Sequence, residues 1–190
     1  MKTTPFIIST ILFFILSHYL AVFPHEFSHS IMAWLLGVKV HPFNIDYGGS
    51  SFYNLFWLGN IDENNNYYLL YVLGKKQLMP LIAMAGPGMN GLLYIISTYF
   101  LYHVKNIKQR PMLYYFIFWF NIMNLGNLFD YVPIRVFTTH GDIGHIVFGL
   151  NNLYAWWIFI PGTYLIVFYY ISFIKARLFR PIKLSVALIR

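Results

Sequence analysis

Apolar residues fall into four long runs separated by short polar stretches, and it is these runs that set the expected elements. The first covers positions 6 to 23. After Pro24 and a polar cluster of His25, Glu26 and His29, apolar residues resume at 31 to 38. Read as one helix over 6–36, the run is roughly 50 Å long, well beyond a hydrocarbon core of about 30 Å, so tilt or a break at Pro24 is expected. Further spans are predicted at 78–101, 112–129 and 153–174. Positions 39 to 76 form the most polar stretch, with Asp46, Asp62, Glu63 and three asparagines at 64 to 66. Phe43, Ile45 and Tyr47 alternate ahead of Gly48-Gly49, and Phe52, Leu55 and Phe56 follow, which predicts a β-hairpin at the membrane surface. The expected fold is an all-α integral membrane protein. It comprises a single domain over 1–190 with about four transmembrane helices, a hairpin-like loop between the first and second, and a basic tail at 175–190.

Composition sharpens this picture. Of 190 residues, 58% are hydrophobic, 21% aromatic and only 10% charged, and the mean hydropathy is +0.57. A water-soluble globule is excluded on that basis. The net charge of +7 is spread over the flanks of the apolar runs instead of forming a face, so the partner it implies is the lipid bilayer and not nucleic acid. Four crossings put nine Lys and Arg on the side of both termini and four on the other, which predicts cytoplasmic termini. Lys2 ahead of an apolar run also fits a signal peptide, but no small-residue cleavage site follows, so the segment is expected to be retained. With no cysteine, thiol catalysis, disulfides and Cys-ligated metals are excluded.

The candidate chemistry sits in the first helix. His25-Glu26-Phe27-Ser28-His29 is an H-E-x-x-H motif, and a spacing of four puts both imidazoles on one helix face, one turn apart, as two zinc ligands require. Glu26 is offset from them and is suited to take a proton from a water that the metal activates. The chain has only two glutamates, Glu26 and Glu63, and an ionisable residue in an apolar helix points to function. A catalytic zinc needs a third protein ligand and leaves the fourth position to water. His18 is about 10 Å from His25 along the helix, too far to share an ion, and is expected at a helix interface. His41 and His103 are read as interfacial. The remaining candidates are His140, Asp142 and His145 in one stretch, and Asp130 at the end of the third run. Gly86-Pro87-Gly88 permits close helix approach, and Asn90, Asn124 and Asn127 add hydrogen-bonding groups at the same end of the bundle.

These elements, in this order, resemble the site-2 protease family of intramembrane zinc metalloproteases. That family carries H-E-x-x-H on its first core helix, here His25 to His29. Its next helix has a Gly-Pro-x-x-Asn element, here Gly86 to Asn90, and its third has Asn, Pro and Asp-Gly, here Asn127, Pro133 and Gly141-Asp142. The resemblance covers roughly residues 5 to 150. It implies peptide-bond hydrolysis in membrane-anchored protein substrates, with zinc as cofactor and Asp142 as the third ligand beside His25 and His29. Glu26 is then the catalytic base, and Asn90 and Asn127 position the substrate backbone. The hairpin-like segment 40–57 would pair with an unwound substrate as an added strand. The alternative is a catalytically silent membrane scaffold that keeps a structural zinc site, against which the scarce Glu26 argues. A diiron oxygenase would need more clustered histidines, and a transporter would need paired broken helices.

Overall fold

The protein is described from a computed structural model covering residues 3–137, 141–150 and 152–173. The expected basic tail at 175–190 and the candidate ligand His140 lie outside these residues. Among the described residues, the α-helices in chain order are α1 (Thr3–Leu35), α2 (Phe52–Trp57), α3 (Tyr67–Val72), α4 (Met79–His103), α5 (Lys105–Lys108), α6 (Pro111–Phe129), α7 (Gly141–Gly149) and α8 (Asn152–Phe173). Among the described residues, three helical segments are long and apolar enough to cross a membrane: Phe6–Leu35, Lys76–His103 and Tyr154–Phe173. The 19-residue α6 is interrupted on one side by Asn121, Asn124 and Asn127.

α4 is the central element, packing against α1, α6 and α7, while α1 also packs on α6. The exterior is apolar, and the interior mixes buried polar side chains with apolar clusters. Ser17, His29, Ser30, Asn90, Ser97, Asn121 and Asn124 are almost completely buried, whereas Ile7, Leu12, Leu35, Ile95, Trp157 and Ile160 face outward. In lipid, apolar surface gives helices no reason to associate, so small residues and interhelical hydrogen bonds hold them together. Asn121 on α6 provides such a bond, its Nδ2 donating to Ser97 Oγ and Thr98 Oγ1 on α4, each at 2.8 Å. Apolar clusters fill the remaining space. Tyr94 and Leu101 of α4 meet Phe118 and Leu125 of α6 and Phe173 of α8, and Ala83 meets Ile143, Ile146 and Phe159 where α7 and α8 close over α4.

The break expected at Pro24 is absent, because α1 runs through it as one helix. Proline has no N–H, so Leu20 loses its intrahelical donor. One residue on, the Ala21 carbonyl takes a bond from Asn90 Nδ2 of α4 at 3.1 Å, so the neighbouring helix reinforces α1 at this point.

The β-hairpin is likewise corrected, along with the added-strand role it suggested for 40–57. Among the described residues there is no strand, only an isolated antiparallel bridge between Asp46 and Asp62. Gly48 and Gly49 do turn the chain, at φ 70° and 79°. Ser51 then accepts a bond from Asn54 N as the N-cap of α2, which commits the returning limb to helix. Buried Asn54 takes over the role of a partner strand. Its Nδ2 donates to the carbonyls of Tyr47 (2.5 Å) and Gly49 (2.8 Å), and its Oδ1 accepts from Asn60 N (3.0 Å). The loop then folds back along α1. His18, expected at a helix interface, donates from Nε2 to the Trp57 carbonyl of α2 at 2.9 Å, and the Tyr19 hydroxyl bonds the carbonyl of Leu55. Replacing Asn54 by Ala removes three bonds of about 1 kcal/mol each. It is expected to raise amide exchange across 47–60 by one to two orders of magnitude, and unchanged protection in a hydrogen-exchange measurement would refute this role.

Candidate metal centre

Three elements bring the centre together. α1 supplies His25 and His29, one turn apart and both buried. α7 supplies Asp142, in its first turn, where a carboxylate also favours the helix dipole. The residue before it, Gly141, has φ +60°, a left-handed conformation that lets the chain enter α7 with Asp142 turned inward. α4 supplies the space. His25 Nε2 and His29 Nε2 are 3.0 Å apart, and Asp142 Oδ2 is 3.2 Å from each.

The hydrogen bonds behind the rings fix which atoms face inward. The Ala21 carbonyl can only accept, so the Asn90 amide turns its Nδ2 there and to Asn124 Oδ1 (3.0 Å), leaving Oδ1 to face His25 Nδ1 at 2.5 Å. His25 therefore donates from Nδ1. His29 Nδ1 likewise donates to the carbonyl of Ile82, at 2.7 Å. Both Nδ1 protons are thus engaged, and two Nε2 lone pairs and one carboxylate oxygen converge on one point. Such a set repels itself unless positive charge lies among it.

The residues fit a divalent metal by two measures. A tetrahedral zinc with bonds of about 2.0–2.1 Å has ligand-to-ligand edges of roughly 3.3 Å, close to the 3.0–3.2 Å found here. Room for the ion comes from Gly86, whose missing Cβ would lie 2.5 Å from His25 Nε2 and closer still to His29 Nε2. No other group of His, Asp and Glu among the described residues converges in this way.

The other candidates stand elsewhere. Asp130 pairs with Arg135 at 2.7 Å. His145 stacks on Tyr67 with ring centroids 3.6 Å apart. Asn127 is only half-buried, and it is Asn124 that joins Asn90 behind His25. Asn90 is fully buried behind the ring, not exposed to an incoming chain. Glu26 is half-buried beside His25 on α1. A cavity of about 560 Å³, lined by Asp62, Glu63, Tyr67, Asp142 and His145 among others, reaches the Asp142 side of the centre.

Sequence reasoning missed Tyr131, in the wide turn Asp130–Ile134 that follows α6, whose backbone leaves helical geometry at Val132 (φ −138°, ψ 109°). The Tyr131 ring stacks on His25, with centroids 5.1 Å apart and planes 16° from parallel, and its hydroxyl is 3.0 Å from His25 Nε2. Nothing local distinguishes it among 16 tyrosines.

Outer partners orient ligand rings, and their loss weakens metal affinity by about 10–100-fold. Asn90→Ala frees His25 to rotate or change tautomer. A drop of that size is expected in a competition titration with a chromophoric chelator, and an unchanged affinity would show that the His25–Asn90 bond does not hold the ligand.

In comparisons with known proteins, no family model matches the chain, and no curated protein or solved structure matches it.

Proposed function

We propose that the protein is an intramembrane zinc endopeptidase that hydrolyses peptide bonds of membrane-anchored proteins. The observation carrying this reading is the convergence of His25 Nε2, His29 Nε2 and Asp142 Oδ2 at 3.0–3.2 Å, both rings locked through Nδ1, next to the half-buried Glu26. The resemblance of the H-E-x-x-H, Gly-Pro-x-x-Asn and Asn…Gly-Asp elements to site-2 proteases supports it. In this reading α6 is a fourth crossing, since its 19 residues reach about 28 Å. The nine-to-four distribution of Lys and Arg puts both termini in the cytoplasm.

Zinc held here would make a water acidic near neutral pH and polarise the scissile carbonyl. The protein's own groups do the rest. Glu26 accepts the proton of the attacking water and delivers it to the leaving amine. Asn90 and Ile82 hold the two imidazoles against rotation, so little reorganisation is needed as charge develops. The acidic cavity on the Asp142 side gives water and an unwound peptide a path to the centre.

The second reading, a silent scaffold with a structural metal, has one observation in its favour: the Tyr131 hydroxyl stands where a catalytic centre needs an open position. Metal analysis with turnover separates the two. Detergent-purified protein is expected to carry about one zinc per chain, lost in His29→Ala and Asp142→Ala, and to cleave single-span fluorogenic peptides. Zinc without cleavage leaves the scaffold reading standing, and a wild type that takes up no zinc on reconstitution overturns both.

A further inference from the structure

The chemistry around Tyr131 reaches beyond the three ligands. Its hydroxyl is 3.0 Å from His25 Nε2, the same spacing that separates His25 from His29, and close to the 3.2 Å from either histidine to Asp142. Three donors and the phenol oxygen thus have four edges that match one small tetrahedron. Because His25 Nδ1 donates to Asn90, Nε2 carries a lone pair, and the hydroxyl donates to it here. Once a metal takes that lone pair, the hydroxyl can no longer donate to Nε2. The ring is held against rotating away within the turn, since His25 lies against one side and the Arg135 guanidinium sits 4.8 Å from its centroid, so only a shift of the turn itself would carry it off. Arg135 is itself anchored to Asp130. Held 3.0 Å from His25 Nε2, the oxygen is in place to offer its own lone pair to the ion, its proton leaving to solvent as the metal binds.

We infer that Tyr131 is the fourth ligand of the metal centre, closing it to water in this conformation. Resting on the protease reading, one step follows: hydrolysis begins when the Asp130–Ile134 turn withdraws the phenol and frees that position. The turn suits such a movement, being a wide-turn segment with Val132 already in extended backbone between helical neighbours. The same residue then decides between an open catalytic site and a closed structural one.

Copper(II) is the probe for ligation, because it binds nitrogen and oxygen sites more tightly than zinc and a bound phenolate gives it an intense visible charge-transfer band. Titrated into the metal-stripped full-length chain in detergent, one copper per chain is expected to bind with this band. The band should be missing from Tyr131→Phe and Tyr131→His and kept in Tyr67→Phe, which removes the phenol lining the nearby cavity. One copper bound without the band, or a band that survives Tyr131→Phe, overturns the ligand assignment, and the wild type alone suffices for the first outcome. Failure of the wild type to bind copper overturns it together with the metal centre. Gating is read separately. Zinc-loaded Tyr131→Phe is expected to cleave single-span peptides several-fold faster than wild type, and an equal or lower rate overturns gating. Absence of cleavage in both chains overturns gating and the protease reading while the copper band still decides ligation.

Discussion

Glu26→Gln is expected to lower peptide hydrolysis by roughly 10²–10⁴-fold while leaving metal content at the wild-type level, because general-base catalysis contributes about that much. Gln has the size and shape of Glu but cannot accept the proton of the attacking water, so the change removes one chemical capacity and little packing. It also leaves untouched His25, His29 and Asp142, the group that could hold the ion. The control is His29→Ala, in which metal and turnover should disappear together. Measured side by side by metal analysis and by cleavage of single-span fluorogenic peptides, the two variants separate loss of the base from loss of the centre. A Glu26→Gln chain that turns over at the wild-type rate would remove Glu26 from the mechanism. The variant has a further use if the prediction holds, since it should retain bound substrate and allow it to be recovered.

The long helices and the pairing of His25 with His29 were legible in the sequence because both follow from local periodicity. Apolar runs of about 20 residues leave few alternatives to a spanning helix, and a four-residue spacing fixes the relation of His25 to His29 whatever surrounds them. Asp142 is a different case. It stands 117 residues from His25, and no local pattern joins them, so only the resemblance to a family singled it out from Asp130 and His145. The hairpin failed because alternation means less in a lipid setting than in water. Phe43 and Tyr47 are exposed and Ile45 is buried, as a half-buried strand would require, but Asn54 satisfies the backbone with its side chain and no second strand forms. Asn90 was recognisable as a polar residue in an apolar helix, yet which way it faced depended on the Ala21 carbonyl of another helix. Tyr131 gave no signal at all, because in a chain so rich in aromatic residues a functional ring and a packing ring have the same local surroundings.

Gly86→Ala should all but abolish metal binding while leaving His25, His29 and Asp142 in the sequence unchanged. In a helix interior this exchange ordinarily stabilises by roughly 0.5–1 kcal/mol, since alanine loses less backbone freedom on folding. At this position the added Cβ would fall 2.5 Å from His25 Nε2 and nearer to His29 Nε2, in the space that bonds of about 2.0–2.1 Å assign to the ion. The methyl group and the metal cannot both be present. Either the methyl excludes the ion, or α1 and α4 separate and the three donors lose their common point, and affinity falls by more than about 100-fold on both routes, beyond the loss of an outer-shell partner. Gly88→Ala is the matched control, on the same helix but with nothing within 4 Å of its added Cβ. It should keep wild-type affinity and take the ordinary helix gain in thermal stability. Chelator competition on the two variants therefore tests the location of the ion and not the general tolerance of α4 for alanine. Equal affinities would place the metal away from Gly86, and the convergence of His25, His29 and Asp142 would then need a proton, not an ion, to hold it together.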